Sequence, residues 1–211
     1  LAHEVRQPLN NASAALQAAS VELARDGRMS AAEPLRRAEL VLGDVQASIG
    51  NTLAVASLLV GGERVEGVDT DIDTLIDVAI ADMPRDQRAR IVVERTTNTR
   101  TASMEPGLMR LALRNLLSNA LRCSPPGSPV VVCVSDCDEP LALIIDVVDR
   151  GPGIADELQP RLFQRGTKAP GGRRQGLGLY IVHRVMELHR GSVAVERTGA
   201  GGTTMRLVIN Q

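Results

Sequence analysis

Apolar side chains in the first 60 residues recur at alternating intervals of three and four, which places them along one face of an α-helix. The two series are Val5, Leu9, Ala12, Leu16, Ala19 and Leu23, then Leu35, Ala38, Leu42, Val45, Ile49, Thr52, Ala56 and Leu59. A glycine-containing break at 25–30 separates them, so the pattern predicts two antiparallel helices. One such hairpin leaves its apolar seams exposed, and we therefore expect two copies of the chain to form a four-helix bundle.

The pattern changes after "GGERVEG" (61–67), which predicts a hinge between a helical domain at 1–62 and a second domain at 63–211. In the second domain we predict helices at 71–83, 106–124 and 177–190. We predict strands at 89–96, 128–136 and 141–149, and in "GSVAVER" and "TTMRLVIN". This order predicts an α+β protein whose second domain is a two-layer α/β sandwich.

Composition narrows the class of protein. The 211 residues are 44% hydrophobic but include only one Phe, one Tyr and no Trp, so we expect a core of aliphatic and Met side chains. A net charge of -1 argues against nucleic acid as the partner. The three cysteines form no CxxC pair, which suits a reducing compartment such as the cytoplasm.

The chain begins inside a predicted helix, without a signal peptide or an apolar run of the ~20 residues that span a membrane. We therefore expect a fragment of a longer protein. Any sensor domain or membrane anchor would lie in segments upstream of this chain.

Three polar motifs follow in the second domain, and the first is "NLLSNALR" (115–122). Asn115 and Asn119 are four residues apart and share one helix face, with Arg122 three residues further on. Amide oxygens are suitable ligands for Mg²⁺, and an arginine suits phosphate oxygens. The alternative is a solvated polar stripe.

The second motif is "DRGPGIA" (149–155), which follows an apolar strand. The carboxylate of Asp149 can accept a hydrogen bond from an exocyclic amine such as that of adenine. Gly151 and Gly153 permit a positive φ and close approach of the backbone to a flat ring. The alternative is a simple turn.

The third motif is "GLGL" (176–179), which opens a helix. Amide groups at a helix N-terminus favour anions. The preceding basic segment 165–175 contains Arg165 and Lys168 and has no apolar period, as expected of a mobile lid over phosphates. The alternative is a solvated loop, but the three motifs in this order together indicate a nucleotide site.

The chain resembles the catalytic core of a bacterial two-component sensor histidine kinase over essentially its whole length. The motifs that carry the resemblance are "AHEVRQPL" for the H box, "NLLSNALRCSP" for the N box, "DRGPGI" for the first glycine box, "LFQRG" for the phenylalanine box and "GLGL" for the second glycine box. The resemblance implies a dimerisation and phosphoacceptor domain followed by an ATP-binding domain. The fold of the latter is shared with gyrase, mismatch-repair and Hsp90-type ATPases.

The resemblance also implies ATP and Mg²⁺ as cofactors, with Asn115 and Asn119 at the metal and phosphates and Asp149 at the adenine amino group. The other residues that it places at the nucleotide are Arg122, Cys123, Gly151, Gly153, Ile154, Arg165, Lys168, Gly176, Leu177, Gly178 and Leu179. Cys123 departs from the family, which often has an aromatic residue or His beside the adenine there.

His3 is the residue that the resemblance implies as phosphoacceptor, with an aspartate of a response regulator as the next acceptor. Glu4 is adjacent and could act as general base, since an imidazole that attacks through one nitrogen needs a partner for the other N–H. Gln7 lies one helical turn away, where the resemblance implies a bearing on phosphatase activity. A phosphatase-dominant member and a nucleotide-binding dimeric scaffold are the alternatives.

Overall fold

The computed structural model describes residues 65–139, 141–167 and 176–210, together with residues 12, 14, 16, 19, 35, 38, 42–43, 45, 49–53 and 56. The chain divides into two compact units, and the division in the first part of the chain falls between residues 57 and 58. Among the described residues, no helix is long and apolar enough to cross a membrane.

The described residues of the first unit are all helical. They include seam positions from both predicted helices, namely Ala12, Leu16, Ala19, Leu35, Ala38, Leu42, Val45, Ile49, Thr52 and Ala56. These side chains are half-buried or exposed in the single chain, and Val45 is 41% exposed. The remaining seam positions and the predicted break at 25–30 lie outside the described residues.

The described part of the second unit contains four helices, a short 3₁₀ turn and seven strands. The helices are α1 (Ile72–Ala81), α2 (Arg85–Arg88), α3 (Pro106–Cys123) and α4 (Gly178–Leu188), and the 3₁₀ turn is Gln159–Arg161. The strands are β1 (Val68–Asp71), β2 (Ile91–Arg95), β3 (Thr101–Met104), β4 (Val130–Asp138), β5 (Leu141–Val148), β6 (Ser192–Gly199) and β7 (Gly202–Asn210).

Five strands form the main sheet in the order β2-β4-β5-β7-β6. β2 is parallel to β4, and the other neighbours are antiparallel. β1 and β3 form a separate antiparallel pair. Burial alternates along β4, β5 and β7, so one face of the sheet lies in the core while the other is half-exposed. This is the sheet layer of the predicted sandwich.

The helical layer is centred on α3, which packs against α1, α4 and the central strands. Its apolar positions recur at helical spacing, so Met109, Leu113, Leu116 and Leu117 are all buried. The described core is aliphatic and Met-rich, as the composition predicted. Packing therefore fixes the orientation of α3, and with it the direction of its polar face.

Side-chain contacts tie the beginning of α3 to the end of α4. The carboxylate of Glu105 accepts hydrogen bonds from Gly107 N (3.2 Å) and Leu108 N (2.6 Å), which caps α3. The backbone N–H of Glu105 donates to His189 Nε2 (2.9 Å), and His189 Nδ1 lies 2.7 Å from Val185 O. The ring therefore bridges the two helices that carry the polar motifs.

The longer predicted elements are confirmed to within about two residues at each end. The sequence pattern did not predict β1, β3 and α2. Each contains only four residues, and β1 ("VDTD") and α2 ("RDQR") are dominated by polar side chains, so neither shows a recognisable apolar period. β1 and β3 exist because they pair with each other across about 30 residues of chain.

Candidate nucleotide-binding site

Asn115 and Asn119 project from α3 towards the first turn of α4. Asn115 is only 7% exposed, and its Nδ2 donates to Leu111 O (3.0 Å). That bond turns Oδ1 of Asn115 towards Gly178, where an added Cβ would lie 3.1 Å from Oδ1 and 3.7 Å from Asn119 Nδ2. The alternative of a solvated polar stripe is therefore wrong for Asn115.

Arg122 lies one turn beyond Asn119 and is exposed. Its Nη2 donates to Asn119 Oδ1 (3.1 Å). The two side chains therefore share one face of the helix, as their spacing predicted. The pair places a cation beside the amide of Asn119.

Gly178 is the first residue of α4, and no side chain of the described residues caps this helix N-terminus. The first backbone N–H groups of α4 have no partner within the helix and therefore favour an anion. Just before it, Gly176 has a φ of 68°, and Gly166 N donates to Gly176 O (3.0 Å). A side chain at Gly176 would collide with the backbone of Thr167 and Gly166.

That Gly166–Gly176 hydrogen bond brackets the segment that the sequence predicted to be a lid. Lys168 and the rest of 168–175 lie outside the described residues. Arg165 is exposed and lines a groove of about 430 Å³ on α4. The other residues that line the groove are Phe163, Gln164, Tyr180, His183, Arg184 and Glu187. Leu177 and Leu179 are half-buried.

Asp149 follows β5 and is held by β7, the neighbouring strand that pairs with β5. The residue is 8% exposed, and its Oδ1 accepts hydrogen bonds from Gly151 N (2.7 Å) and Thr203 N (3.0 Å). No described residue donates to its Oδ2. A carboxylate with one oxygen fixed by two amides and the other uncommitted is oriented to accept a bond from a ligand.

The two glycines of the first glycine box act differently. Gly153 adopts the positive φ that the sequence suggested, with a value of 86°, and it packs against the backbone of Gly199. Gly151 does not adopt the positive φ that a glycine permits. A Cβ at Gly151 would lie 3.0 Å from both Asp149 Oδ1 and Cys123 Cβ, so glycine is needed there for space. Ile154 N donates to Thr198 Oγ1 (2.8 Å), which anchors the end of this box.

The C-terminal end of α3 meets the same loop. Cys123 is an exposed free thiol beside Gly151, and Ser124 is buried with its Oγ accepting from Arg150 N (3.1 Å). Asn115 and Cys123 are about 12 Å apart along the helix axis, given the rise of 1.5 Å per residue. One helix therefore presents Asn115 to the N-terminus of α4 and, about two turns further on, Cys123 to the loop that contains Asp149.

Sequence analysis did not identify several residues that support the site. Ser124, Thr198 and Thr203 hold the glycine box through hydrogen bonds over separations of 26, 44 and 54 residues. Such pairings carry no local signal. A Cβ at Gly202 would overlap the backbone of Asp149, which explains the glycine in the β6–β7 turn.

The amide groups of Asn115 and Asn119 near Gly178 fit a cation that takes most of its ligands from water and from the substrate. The described residues contain no group of three or more His, Cys, Asp or Glu side chains that could hold a metal. Mg²⁺ is typically held by one or two protein oxygens together with phosphates and waters. The Oδ1 of Asn115, oriented by the bond from Nδ2, is suitable as such a ligand.

His3, Glu4 and Gln7 lie outside the described residues. In the second unit, the structure brings together residues of the N box, the first glycine box and the second glycine box.

Comparison with known proteins identifies relatives of this arrangement. A family model described as histidine kinase-, DNA gyrase B-, and HSP90-like ATPase matches residues 104–211. Sensor protein QseC of Salmonella typhi is 30% identical over 206 residues, covering 95% of this chain and 44% of QseC. Signal transduction histidine-protein kinase/phosphatase MprB of Mycobacterium bovis is 32% identical over 213 residues, covering 95% of this chain and 40% of MprB.

A solved structure of the mycobacterial sensor histidine kinase MprB superposes with a TM-score of 0.58 at 29% identity. The match covers 69% of this chain and 97% of that one. The chain spans less than half the length of QseC and of the curated MprB. The family match contains Asn115, Asp149 and α4, and the relatives align with nearly the whole chain. The chain therefore belongs to the histidine kinase-, DNA gyrase B-, and HSP90-like ATPase family, as the catalytic region of a bacterial two-component sensor histidine kinase.

Proposed function

We propose that this chain uses ATP to phosphorylate its own His3 and then passes the phosphoryl group to an aspartate of a response regulator. The observation that carries the proposal is the convergence on α3 of Asn115, opposite the N-terminus of α4, and of Cys123, beside the Asp149 loop. A nucleotide with its base at one end and its phosphates at the other suits that arrangement.

At the base end, Asp149 is the residue that we propose selects adenine. Its Oδ1 is occupied by two backbone N–H groups, so Oδ2 is the oxygen left to accept from the 6-amino group. Gly151 and Gly153 bring backbone rather than side chain to the ring. Ile154 and Cys123 line the same region, with a thiol where an aromatic ring would otherwise stack.

At the phosphate end, we propose that Asn115 and Asn119 hold Mg²⁺ and the phosphates. Mg²⁺, when bound, would neutralise charge on the transferring phosphoryl group. Asn119 would exchange its hydrogen bond from Arg122 for a contact with the ligand, which releases the guanidinium to a phosphate oxygen. The amides of the Gly176–Leu179 turn would receive the remaining anionic charge, with Arg165 and Lys168 on the adjoining segment.

At the phosphoacceptor, we propose that one ring nitrogen of His3 attacks the γ-phosphorus and that the bond to the leaving ADP oxygen breaks. The second ring nitrogen keeps its proton and gains positive character, which an acceptor at Glu4 stabilises. The product is a phosphorylated histidine and ADP.

The partners that we propose are a second copy of the chain and a response regulator receiver domain. Half-buried and exposed apolar positions on the helical residues of the first unit, such as Leu16, Ile49 and Val45, support a helical dimer interface. The location that we propose is the cytoplasm, where the substrate ATP is found. Attachment to a membrane would depend on segments outside this chain.

The test is incubation of the purified chain with γ-labelled ATP and Mg²⁺, comparing the wild type with His3→Gln. Label that is acid-labile, base-stable and absent from His3→Gln supports the proposal. The control is a nucleotide titration, in which both proteins should bind ATP equally. Equal labelling of the two proteins would contradict the assignment of His3.

A phosphatase-dominant role is the second candidate, because the relative MprB carries the name kinase/phosphatase. In that case Gln7 would orient a water towards the aspartyl phosphate of a bound regulator. Dephosphorylation of a phosphorylated regulator by His3→Ala, lost in Gln7→Ala, would favour this role. Labelling of wild-type His3 without any phosphatase activity would exclude it.

A further inference from the structure

Arg90, just before β2, is half-buried and donates hydrogen bonds to three backbone carbonyls. Its Nε donates to Ser128 O (2.9 Å), its Nη1 to Leu121 O (3.3 Å) and its Nη2 to Pro125 O (3.0 Å). Its own carbonyl accepts from Val130 N (2.8 Å). The three side-chain contacts are made with the last turn of α3 or with the segment that connects α3 to β4, and the backbone contact is made with the first residue of β4.

This connecting segment is short of backbone donors. Its sequence "CSPPGSP" (123–129) contains three prolines, which have no N–H, and it follows a helix end whose last carbonyls have no partner within the helix. A guanidinium supplies several donors in a fixed planar arrangement, and hydrogen bonds from a charged donor are the stronger kind. Arg90 therefore replaces donors that the segment itself lacks.

The same segment carries the contacts that hold the base end of the site. Ser124 Oγ accepts from Arg150 N, and Cys123 packs beside Gly151. Gly151 N in turn donates to Asp149 Oδ1. A shift of the segment therefore moves the loop that orients the Asp149 carboxylate.

We propose that Arg90 is a positioning residue for adenine recognition, acting through the end of α3 and the connecting segment 123–129 and not by touching the nucleotide. The inference rests on the proposed function, since it concerns the base end of the proposed ATP site. Its expected signature is a loss of preference for adenine, because the group that reads the 6-amino position is displaced while the phosphate end at Asn115 stays in place.

Arg88 provides a matched control in the same part of the chain. It is exposed, its Nε donates to Met83 O (2.7 Å) and its Nη2 to Ala81 O (2.5 Å). It thus caps helix-end carbonyls as Arg90 does, but its partners lie at the end of α1 and make none of the contacts described for the site.

The experiment measures the affinity of Arg90→Ala, Arg90→Lys, Arg88→Ala and the wild type for ATP and for inosine triphosphate, which has a keto oxygen in place of the 6-amino group. Calorimetric titrations with Mg²⁺ are made at a temperature where circular dichroism shows each protein folded. We expect Arg90→Ala to bind ATP about tenfold more weakly, because pre-organisation of the loop is lost. Binding of inosine triphosphate should change much less, so the ratio of the two affinities falls.

We expect Arg88→Ala to keep the wild-type ratio of the two affinities. The ratio for Arg90→Lys should lie between those of the wild type and Arg90→Ala, because lysine retains the positive charge but lacks the planar guanidinium group with its several donors. An unchanged ratio in Arg90→Ala, or an equal loss for both nucleotides, would overturn the inference. If Arg90→Ala does not fold, Arg90→Lys decides the matter: a reduced ratio supports the inference and a wild-type ratio overturns it. A wild type that binds neither nucleotide would instead contradict the proposed function.

Discussion

The substitution Asp149→Asn changes the charge and one donor–acceptor position at the proposed adenine site while leaving the size of the side chain unchanged. Gly151 N and Thr203 N both donate to Oδ1 of Asp149. An asparagine that kept those two bonds must direct its oxygen at them, because the alternative orientation sets an NH₂ group against two N–H groups. Its Nδ2 would then occupy the position of Oδ2.

At that position a donor would face the 6-amino group of adenine, which is also a donor. The lost bond was accepted by a charged oxygen, and such bonds contribute about 1.5–3 kcal/mol. Since about 1.4 kcal/mol corresponds to a tenfold change in affinity, binding of ATP should weaken by roughly 10- to 150-fold. Inosine triphosphate presents an acceptor there and should bind Asp149→Asn at least as well as it binds the wild type.

The assay is calorimetric titration of both proteins with both nucleotides in the presence of Mg²⁺. The folded state should be little affected, because Oδ1 still accepts its two bonds, and the loss of charge should cost about 1 kcal/mol of unfolding free energy. Denaturant unfolding of Asp149→Asn checks this. A variant that is folded and still prefers ATP over inosine triphosphate by the wild-type factor would refute the assignment of Asp149 Oδ2 to adenine.

Two further changes test the phosphate end and the stability of the second unit. Gly178→Ala should weaken ATP binding roughly tenfold, because its methyl group would press on Asn115 Oδ1. Calorimetric titration measures the affinity, thermal unfolding checks that the variant is folded, and unchanged affinity would contradict the site. Hydrogen bonds from the hydroxyls of Thr97 and then Thr99 hold the pKa of Asp136 below its ordinary value of 3.8. Its contribution to stability is therefore present above that value and is lost as pH falls through the lowered pKa, so Asp136→Asn should be less stable than the wild type at pH 6, with a gap that closes towards pH 2 in denaturant titrations. A gap independent of pH would show that the carboxylate charge contributes nothing.

Local periodicity explains how much of the second unit was predictable from sequence. The helical spacing of Met109, Leu113 and Leu116 predicts α3 and its buried face, and the intervals between Asn115 and Asn119 predict their common side. Both follow from 3.6 residues per turn, which involves only neighbours in the chain. The alternation along β4 and β5 predicts the hairpin for the same reason.

Contacts between distant segments were beyond that reasoning. Thr203 reaches Asp149 because β7 pairs with β5 in one particular register, and β1 forms only because β3 is available. Cys133 is a further case, since burial and the carboxylates of Glu94 and Asp146 together raise the pKa of its thiol. Strand pairing brings those two carboxylates to it from both sides.

The sequence by itself therefore determined the chemical groups of the nucleotide site and their order, because each motif is contained within a single helix or loop. The tertiary structure alone decided how those groups are aimed. The packing of α4 on α3 sets Gly178 against the amide oxygen of Asn115, Thr203 N reaches Oδ1 of Asp149 from β7, and Arg90 holds the segment that connects α3 to β4. These orientations depend on packing and strand register across the whole unit, which no local spacing encodes.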